Sequence, residues 1–404
     1  MLTTRYHFTK MTLAEPDMNL KQKDRPDHHR RASLMERPQL TVDLAKVQRN
    51  IFRVVDRLRQ KGVFVRPHFK THQCAAIGEL FRDAGITAAT VSSLDMAAYF
   101  AGHGWRDLTL AVPVNHGQLH AIRDFDPQVR LNLLVDSAET IIELHDALSG
   151  IGDIRMKRSV WIKVDVGYGR VGIQWSKEQE LLDLVRLIGE SDRLEFGGLL
   201  THSGHTYDCR GREEVIARFE EGRARMLGLQ RMLGDNGITA PISMGDTPSA
   251  SLAENFDGVD EMRPGNFVFY DLVQSQVGSC RTDDIAVATA CPVIGKYEDD
   301  LKVVVYGGAV HLSKDSIMID GERIFGQLAL PAENGWEVVP LSEGKMVSCC
   351  QEVSKLKVSP KVFERIELGK TVYILPAHSC LAAEMHPRYL TTNGKVLERF
   401  RLYT

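Results

Sequence analysis

From about residue 38 to residue 270 the chain alternates short β-type runs with stretches whose apolar residues recur at helical spacing, and this alternation restricts the fold most. Strand-like runs fall at 63–69, 89–93, 108–114, 131–136, 160–166, 196–201, 242–245 and 262–269. Helical patterns lie between them, with 213–233 the clearest. Strands joined through helices are parallel, because a parallel pair needs a crossover connection. Eight of them predict an α/β fold, a closed (β/α)8 TIM-type barrel. An open doubly wound sheet is the alternative, but no GxGxxG follows an early strand.

After Tyr270 the texture changes. Runs at 285–297, 301–306, 370–375 and 396–402 are strand-like with little helix between them, which predicts a C-terminal, mainly-β domain over 271–404. The run 39–43 is also strand-like and precedes the first helix, so it is placed to join that domain. Residues 1–37 are polar and broken by charge, without an apolar signal core, and read as a tail before a barrel spanning 38–270. The 404 residues carry a net charge of −3, with 43% apolar and 25% charged side chains. That balance calls for neither nucleic acid nor an anionic membrane as partner. No apolar run approaches the ~20 residues of a membrane span. Seven cysteines, an odd number in a long chain, point to reduced thiols and the cytoplasm.

The first barrel strand runs out through VFVRPHFKTHQ. Alternation puts Arg66, His68 and Lys70 on one face, opposite Val63, Val65 and Phe69. In a barrel that face points to the interior or its mouth, where three bases are costly in a purely structural core. Neighbouring cations also favour the free amine that imine formation needs. Phosphate sites in such barrels usually follow strands seven and eight. Gly245, Thr247 and the Pro264-Gly265-Asn266 turn fall there. His202, His205 and Tyr207 follow strand six, on a loop placed to touch a bound ring or substrate.

RPHFKTH resembles the cofactor-lysine signature of the fold-type III pyridoxal-phosphate enzymes, in the D-serine dehydratase and D-threonine aldolase family. The resemblance continues, in the family's order, through KVDVGYGRVGI, THSGHTYD, MGDTPSA, EMRPGNFVFYD and LPAHSC, and covers about residues 38–404. It implies an alanine-racemase-like barrel followed by a β domain, with pyridoxal 5'-phosphate held by Lys70 as a Schiff base. It further implies that His68, Arg170, His205, Tyr207, Gly245, Thr247, Gly265 and Asn266 surround the cofactor. Tyr207 matches the tyrosine of the dehydratases' glycine-histidine-serine-tyrosine motif, with Thr206 in place of serine. A homodimer is implied as well, each barrel mouth being completed by the partner's β domain.

Near the end of the chain, strand 372–375 leads into Pro-Ala-His378-Ser-Cys380. If that segment stays extended, His378 and Cys380 project on one side, roughly 7 Å apart at Cα. An imidazole and a thiolate together suit zinc, and two ligands leave open the positions catalysis needs. A bare HxC is more often a core cysteine beside a chance histidine; within this family's pattern it matches the zinc ligands of D-serine dehydratases. D-threonine aldolases pair histidine with aspartate for a harder ion such as Mn2+ or Mg2+. Cys380 therefore favours dehydration of a β-hydroxy D-amino acid to a 2-oxo acid and ammonia over retro-aldol cleavage to glycine and an aldehyde. A racemase needs a second base that the sequence does not offer, and non-catalytic cofactor carriers lack a C-terminal β domain. Two departures bear on the substrate. Val353 stands where dehydratases carry a histidine after glutamate, with Ser354 in place of the following glycine, and LAAEMHPRYL replaces the usual threonine-asparagine continuation after the cysteine.

Overall fold

The computed structural model describes residues 36–149 and 157–401. The polar tail read at residues 1–37 lies almost wholly outside them. Eight parallel strands form the barrel: Phe64–Val65, Ala88–Val91, Asp107–Pro113, Arg130–Val135, Arg158–Asp165, Leu194–Leu200, Ile242–Met244 and Glu261–Met262; a ninth strand of the same sheet, Ile173–Gln174, pairs with Arg158–Asp165 off this path. Each barrel strand neighbours the next in chain order, and Glu261–Met262 returns to pair with Phe64–Val65. The last gap closes by one parallel bridge between His68 and Thr90. The fold is the expected parallel barrel, nearly closed, followed by an antiparallel β domain.

Two strands are much shorter than the sequence suggests. The first stops at Val65 and the eighth at Met262, ahead of Pro67 and Pro264. Proline has no N–H to give to a ladder, so each chain leaves the sheet there. The carbonyls remain useful: Pro67 accepts from the Thr90 N–H and Pro264 from the His68 N–H, both at 2.8 Å. Phe69 then turns outward into an aromatic cluster with Phe81, Phe100 and Trp105.

The barrel interior is polar at its centre. Arg66 reaches Glu261 and Asp107, each at 2.6 Å, while Asn132 donates to Asp107 and Ser243 to Glu261. Side chains from five strands thus converge on one guanidinium. Of the two places left open for this face, interior or mouth, Arg66 takes the interior: two carboxylates hold it there, and a buried charge is tolerable only when paired this way.

The second sheet has ten strands. Val287–Tyr297 pairs with both Lys302–Tyr306 and Thr371–Pro376, so six of the strands close on themselves around Val303, Leu328, Met346, Leu356 and Ile374. Gln39–Val42 joins this sheet, as the sequence suggested, pairing with Val287–Ala290 and with Leu390–Thr391. Strands Gly326–Ala332, Gly344–Cys349 and Val353–Val358 lie in a region where the sequence showed no clear run. Removing one partner of the interior ion cluster has a definite cost. Glu261→Ala should lower unfolding free energy by about 3 kcal/mol, because Arg66 keeps only Asp107; urea denaturation followed by circular dichroism reads this directly.

Candidate active site at the barrel mouth

A cavity of about 1390 Å³ opens at the C-terminal ends of the strands. Barrel loops supply His68, Lys70, Lys163, Tyr168, Arg170, His202 and Tyr207 to its wall, and the β domain of the same chain adds Ser316, Met318, His378 and Cys380. Gly245, Gly265 and Asn266 line it as well. Of the residues singled out from the sequence, Thr247 and His205 are absent from the lining. Thr247 is fully buried, its N–H donating to the Tyr207 hydroxyl and its Oγ1 accepting from Phe267 N–H. His205 lies one layer back, its ring 6.1 Å from that of Tyr168.

Lys70 sits in a turn just past the bridge that closes the barrel, exposed to the cavity. Its backbone N–H donates to His68 Nδ1, so a neutral His68 carries its proton on Nε2. Burial, then the charges of Lys70 and Arg263, push His68 well below its ordinary pKa. His202 is depressed in the same way, by burial first and Lys70 next, and its Nδ1 is bonded to the Gly245 carbonyl. Both imidazoles are therefore neutral at physiological pH, and His202 keeps an acceptor nitrogen. Burial, with Arg263 and Arg170 nearby, brings the Lys163 amine down to about 7.

The turn at strand ends seven and eight fits a phosphate. Neither Gly245 nor Gly265 has a hydrogen-bond partner for its N–H among the described residues. A Cβ on Gly265 would stand 3.0 Å from His68 Cβ and 3.1 Å from its carbonyl oxygen, so any side chain there would press His68 out of place by a few tenths of an ångström. The Asn266 side chain turns the other way, its amide donating to Asp271 Oδ2 at 2.7 Å and Ser379 Oγ at 3.0 Å.

The HxC segment does not stay extended. The strand ends at Pro376, His378 becomes the N-cap of helix Ser379–Glu384, and Cys380 lies in its first turn. The two side chains still influence each other: Cys380 is the strongest charge favouring a protonated His378, whose Nδ1 lies 3.1 Å from Asp271 Oδ2. Burial disfavours charge on His378, but the Cys380 thiolate and Asp271 outweigh it and push its pKa up to about 11. Burial likewise opposes the Cys380 thiolate, yet His378, Lys70 and Thr71 hold it below the usual thiol value. Cys380 Sγ lies 3.3 Å from Thr71 Oγ1, the residue after Lys70. An imidazole and a low-pKa thiol that already attract positive charge form a donor set suited to zinc. Val353 and Ser354 begin a β-domain strand away from the cavity wall, where His311 stands 4.0 Å from Glu352.

Arg263, Lys163, Thr71 and Asp271 were not singled out from the sequence. Arg263 is fully buried beneath the cavity, bonded to Ser243 Oγ and the Thr201 carbonyl. Its signal was a charged residue inside an apolar strand pattern, EMRPG, where it could as well have been a wall salt bridge.

Residues 42–272 match the family described as alanine racemase, N-terminal domain, and residues 286–392 match the putative serine dehydratase domain. The chain belongs to the fold-type III pyridoxal-phosphate enzymes of the D-serine dehydratase and D-threonine aldolase family. It is 30% identical to D-threo-3-hydroxyaspartate dehydratase of Delftia sp. (strain HT23), over 91% of this chain and 98% of that one. Identity to D-serine dehydratase of Dictyostelium discoideum is 31%, over 88% and 93% of the two chains. The solved Delftia sp. HT23 enzyme superposes with a TM-score of 0.83 at 29% identity, covering 91% of this chain and 98% of that one. A cysteine-to-alanine mutant of that enzyme has been solved in a metal-free form.

Two substitutions test the cofactor side of this family's site. Lys70→Ala should yield protein that loses its yellow colour on dialysis and turns over no substrate; retained colour would mean that Lys163, the other amine of the cavity wall, takes its place. Gly265→Ala should weaken retention of pyridoxal phosphate by at least about tenfold while the apoprotein keeps its far-UV dichroism, since the added Cβ presses on the His68 backbone; equilibrium dialysis measures this.

Proposed function

We propose that this enzyme is a pyridoxal-phosphate- and metal-dependent lyase that dehydrates β-hydroxy D-amino acids, giving a 2-oxo acid and ammonia. The observation that carries the reading is the His378–Cys380 pair set against the Lys70 turn, with Cys380 Sγ 3.3 Å from Thr71 Oγ1. Bound pyridoxal phosphate supplies an electron sink at the substrate Cα, and a bound zinc ion supplies a Lewis acid for the departing hydroxyl.

The chain's own groups divide the remaining work. Lys70 Nζ anchors the cofactor and, once displaced by substrate, takes the Cα proton. The N–H groups of Gly245 and Gly265, with Tyr207 beside them, receive the phosphate. Neutral His202 offers an acceptor nitrogen to the cavity, Arg170 a cation for a carboxylate, and His68 keeps Lys70 in place. His378 and Cys380 hold the metal and leave its other positions to water and the substrate β-oxygen. D-serine and D-threo-3-hydroxyaspartate are the first substrates to test, in line with the named activities of the Dictyostelium and Delftia relatives.

The same reading includes a homodimer. Met318 and Leu381 line the cavity as exposed apolar side chains, where a second copy of the β domain would cover them. It also places the protein in the cytoplasm, in keeping with seven free cysteines. No helix among the described residues is long and apolar enough to cross a membrane.

Product analysis on a panel of β-hydroxy D-amino acids tests the reaction. A 2-oxo acid with ammonia supports the proposal; glycine with an aldehyde replaces it by retro-aldol cleavage. The metal is tested at Cys380. Cys380→Ala should lose zinc and several orders of magnitude in dehydration rate, because hydroxide is a poor leaving group without a Lewis acid. Cys380→Asp should shift the preference toward manganese or magnesium. Equal zinc content and near-equal rates in wild type and Cys380→Ala would remove the metal from the proposal.

A further inference from the structure

Asp271 is the residue on which the chain leaves the barrel. Its Oδ1 accepts from Gln274 N–H at 2.9 Å and so caps the short helix Leu272–Gln276. A cap needs only that one oxygen. The other, Oδ2, gathers three donors: His378 Nδ1 at 3.1 Å, Ser379 N–H at 2.9 Å and Asn266 Nδ2 at 2.7 Å. The carboxylate is fully buried, where an ionised group is tolerable only with such a complete set of partners. The preceding residue, Tyr270, is held at a φ of 50°, an uncommon conformation for a bulky side chain, while its N–H bonds the Asn266 carbonyl at 2.7 Å. The local backbone is thus bent to deliver this carboxylate between the Gly265-Asn266 turn and the HxC segment.

An imidazole that donates from Nδ1 presents Nε2 to whatever lies beyond, and a metal that displaces the Nε2 proton would find its lone pair there. Histidines that bind metals almost always give their other ring nitrogen to a carboxylate or carbonyl, which fixes the ring and its tautomer. We propose that Asp271 is the positioning residue of the metal pair, orienting His378 through Nδ1 and, through Asn266 and Ser379, locking the HxC segment to the cofactor turn. This rests on the reading of His378 and Cys380 as metal ligands.

The test measures zinc alone, by competition with a chromophoric chelator, on the holoenzyme with its cofactor bound. Asp271→Asn should weaken zinc by about 10–100-fold while cofactor stoichiometry and colour stay at wild-type values. In a His378→Ala background, where the orienting contact is already gone, adding Asp271→Asn should change zinc affinity by no more than about twofold. Asp271→Ser, which keeps a helix cap but lacks the second oxygen, carries the same comparison if the asparagine variant does not fold. Wild-type-like zinc affinity in the variants overturns the inference. So does equal weakening with and without His378, since that marks a general structural role. A wild-type holoenzyme that binds no zinc removes the metal reading itself; a wild type that binds zinc alongside an indistinguishable Asp271→Asn removes this inference alone.

Discussion

The barrel is closed by a single bridge between His68 and Thr90, and the position of Lys70 depends on it. Two backbone bonds make this bridge, Thr90 N–H to the Pro67 carbonyl and Phe69 N–H to the Thr90 carbonyl, while His68 N–H bonds the Pro264 carbonyl on the other side. Two prolines end the flanking ladders and leave their carbonyls as acceptors. The chain is thereby released from the sheet at the height of the mouth, and Lys70 falls in the turn that follows. Outside, Phe69 is pinned by three aromatic rings; inside, Gly265 lies against His68. A small error at the closure would move the amine, the phosphate turn and Thr71 together.

Charge is arranged in two layers. Deep in the barrel, Arg66 is held between two carboxylates, Glu261 and Asp107. Nearer the mouth, Arg263, Arg170, Lys163 and Lys70 gather with two histidines held neutral. Asp246 lines the cavity too, but burial raises it to about 6 and its oxygens are taken up in capping Ser249. Asp208, Arg210, Asp315 and Glu384 line the cavity as well, so its wall carries both signs of charge.

The β domain brings the HxC segment to the mouth of its own barrel, and two buried links hold it there. One is Asp271, between Asn266 and His378. The other is Arg399, which donates to the carbonyls of Ala383, Glu384 and His386 at the end of helix Ser379–Glu384 and to the side chains of Gln73 and Glu384. Gln73 in turn donates to the Lys70 carbonyl. Both ends of the short helix that carries Cys380 are thus tied to the Gly265-Asn266 turn and to the Lys70 turn.

Periodicity in the sequence determined the number and order of the barrel strands, and motif order determined the family and the identity of Lys70, His378 and Cys380 as candidates. These are local properties: alternation, helical spacing and short motifs survive without knowledge of distant contacts. The tertiary structure decided where strands stop and which groups meet. Alternation put Arg66 on an inward face, but only Asp107 and Glu261, 41 and 195 residues away, decided that it lies in the interior and not at the mouth. The HxC segment looked extended until the carboxylate of Asp271, 108 residues earlier, took the Ser379 N–H at the start of a helix. Asp271 closes the motif EMRPGNFVFYD, but nothing in the sequence marked its role, since an aspartate before a short helix is an ordinary cap. Its further role exists only because folding places three donors around its second oxygen, and no spacing along the chain encodes that convergence.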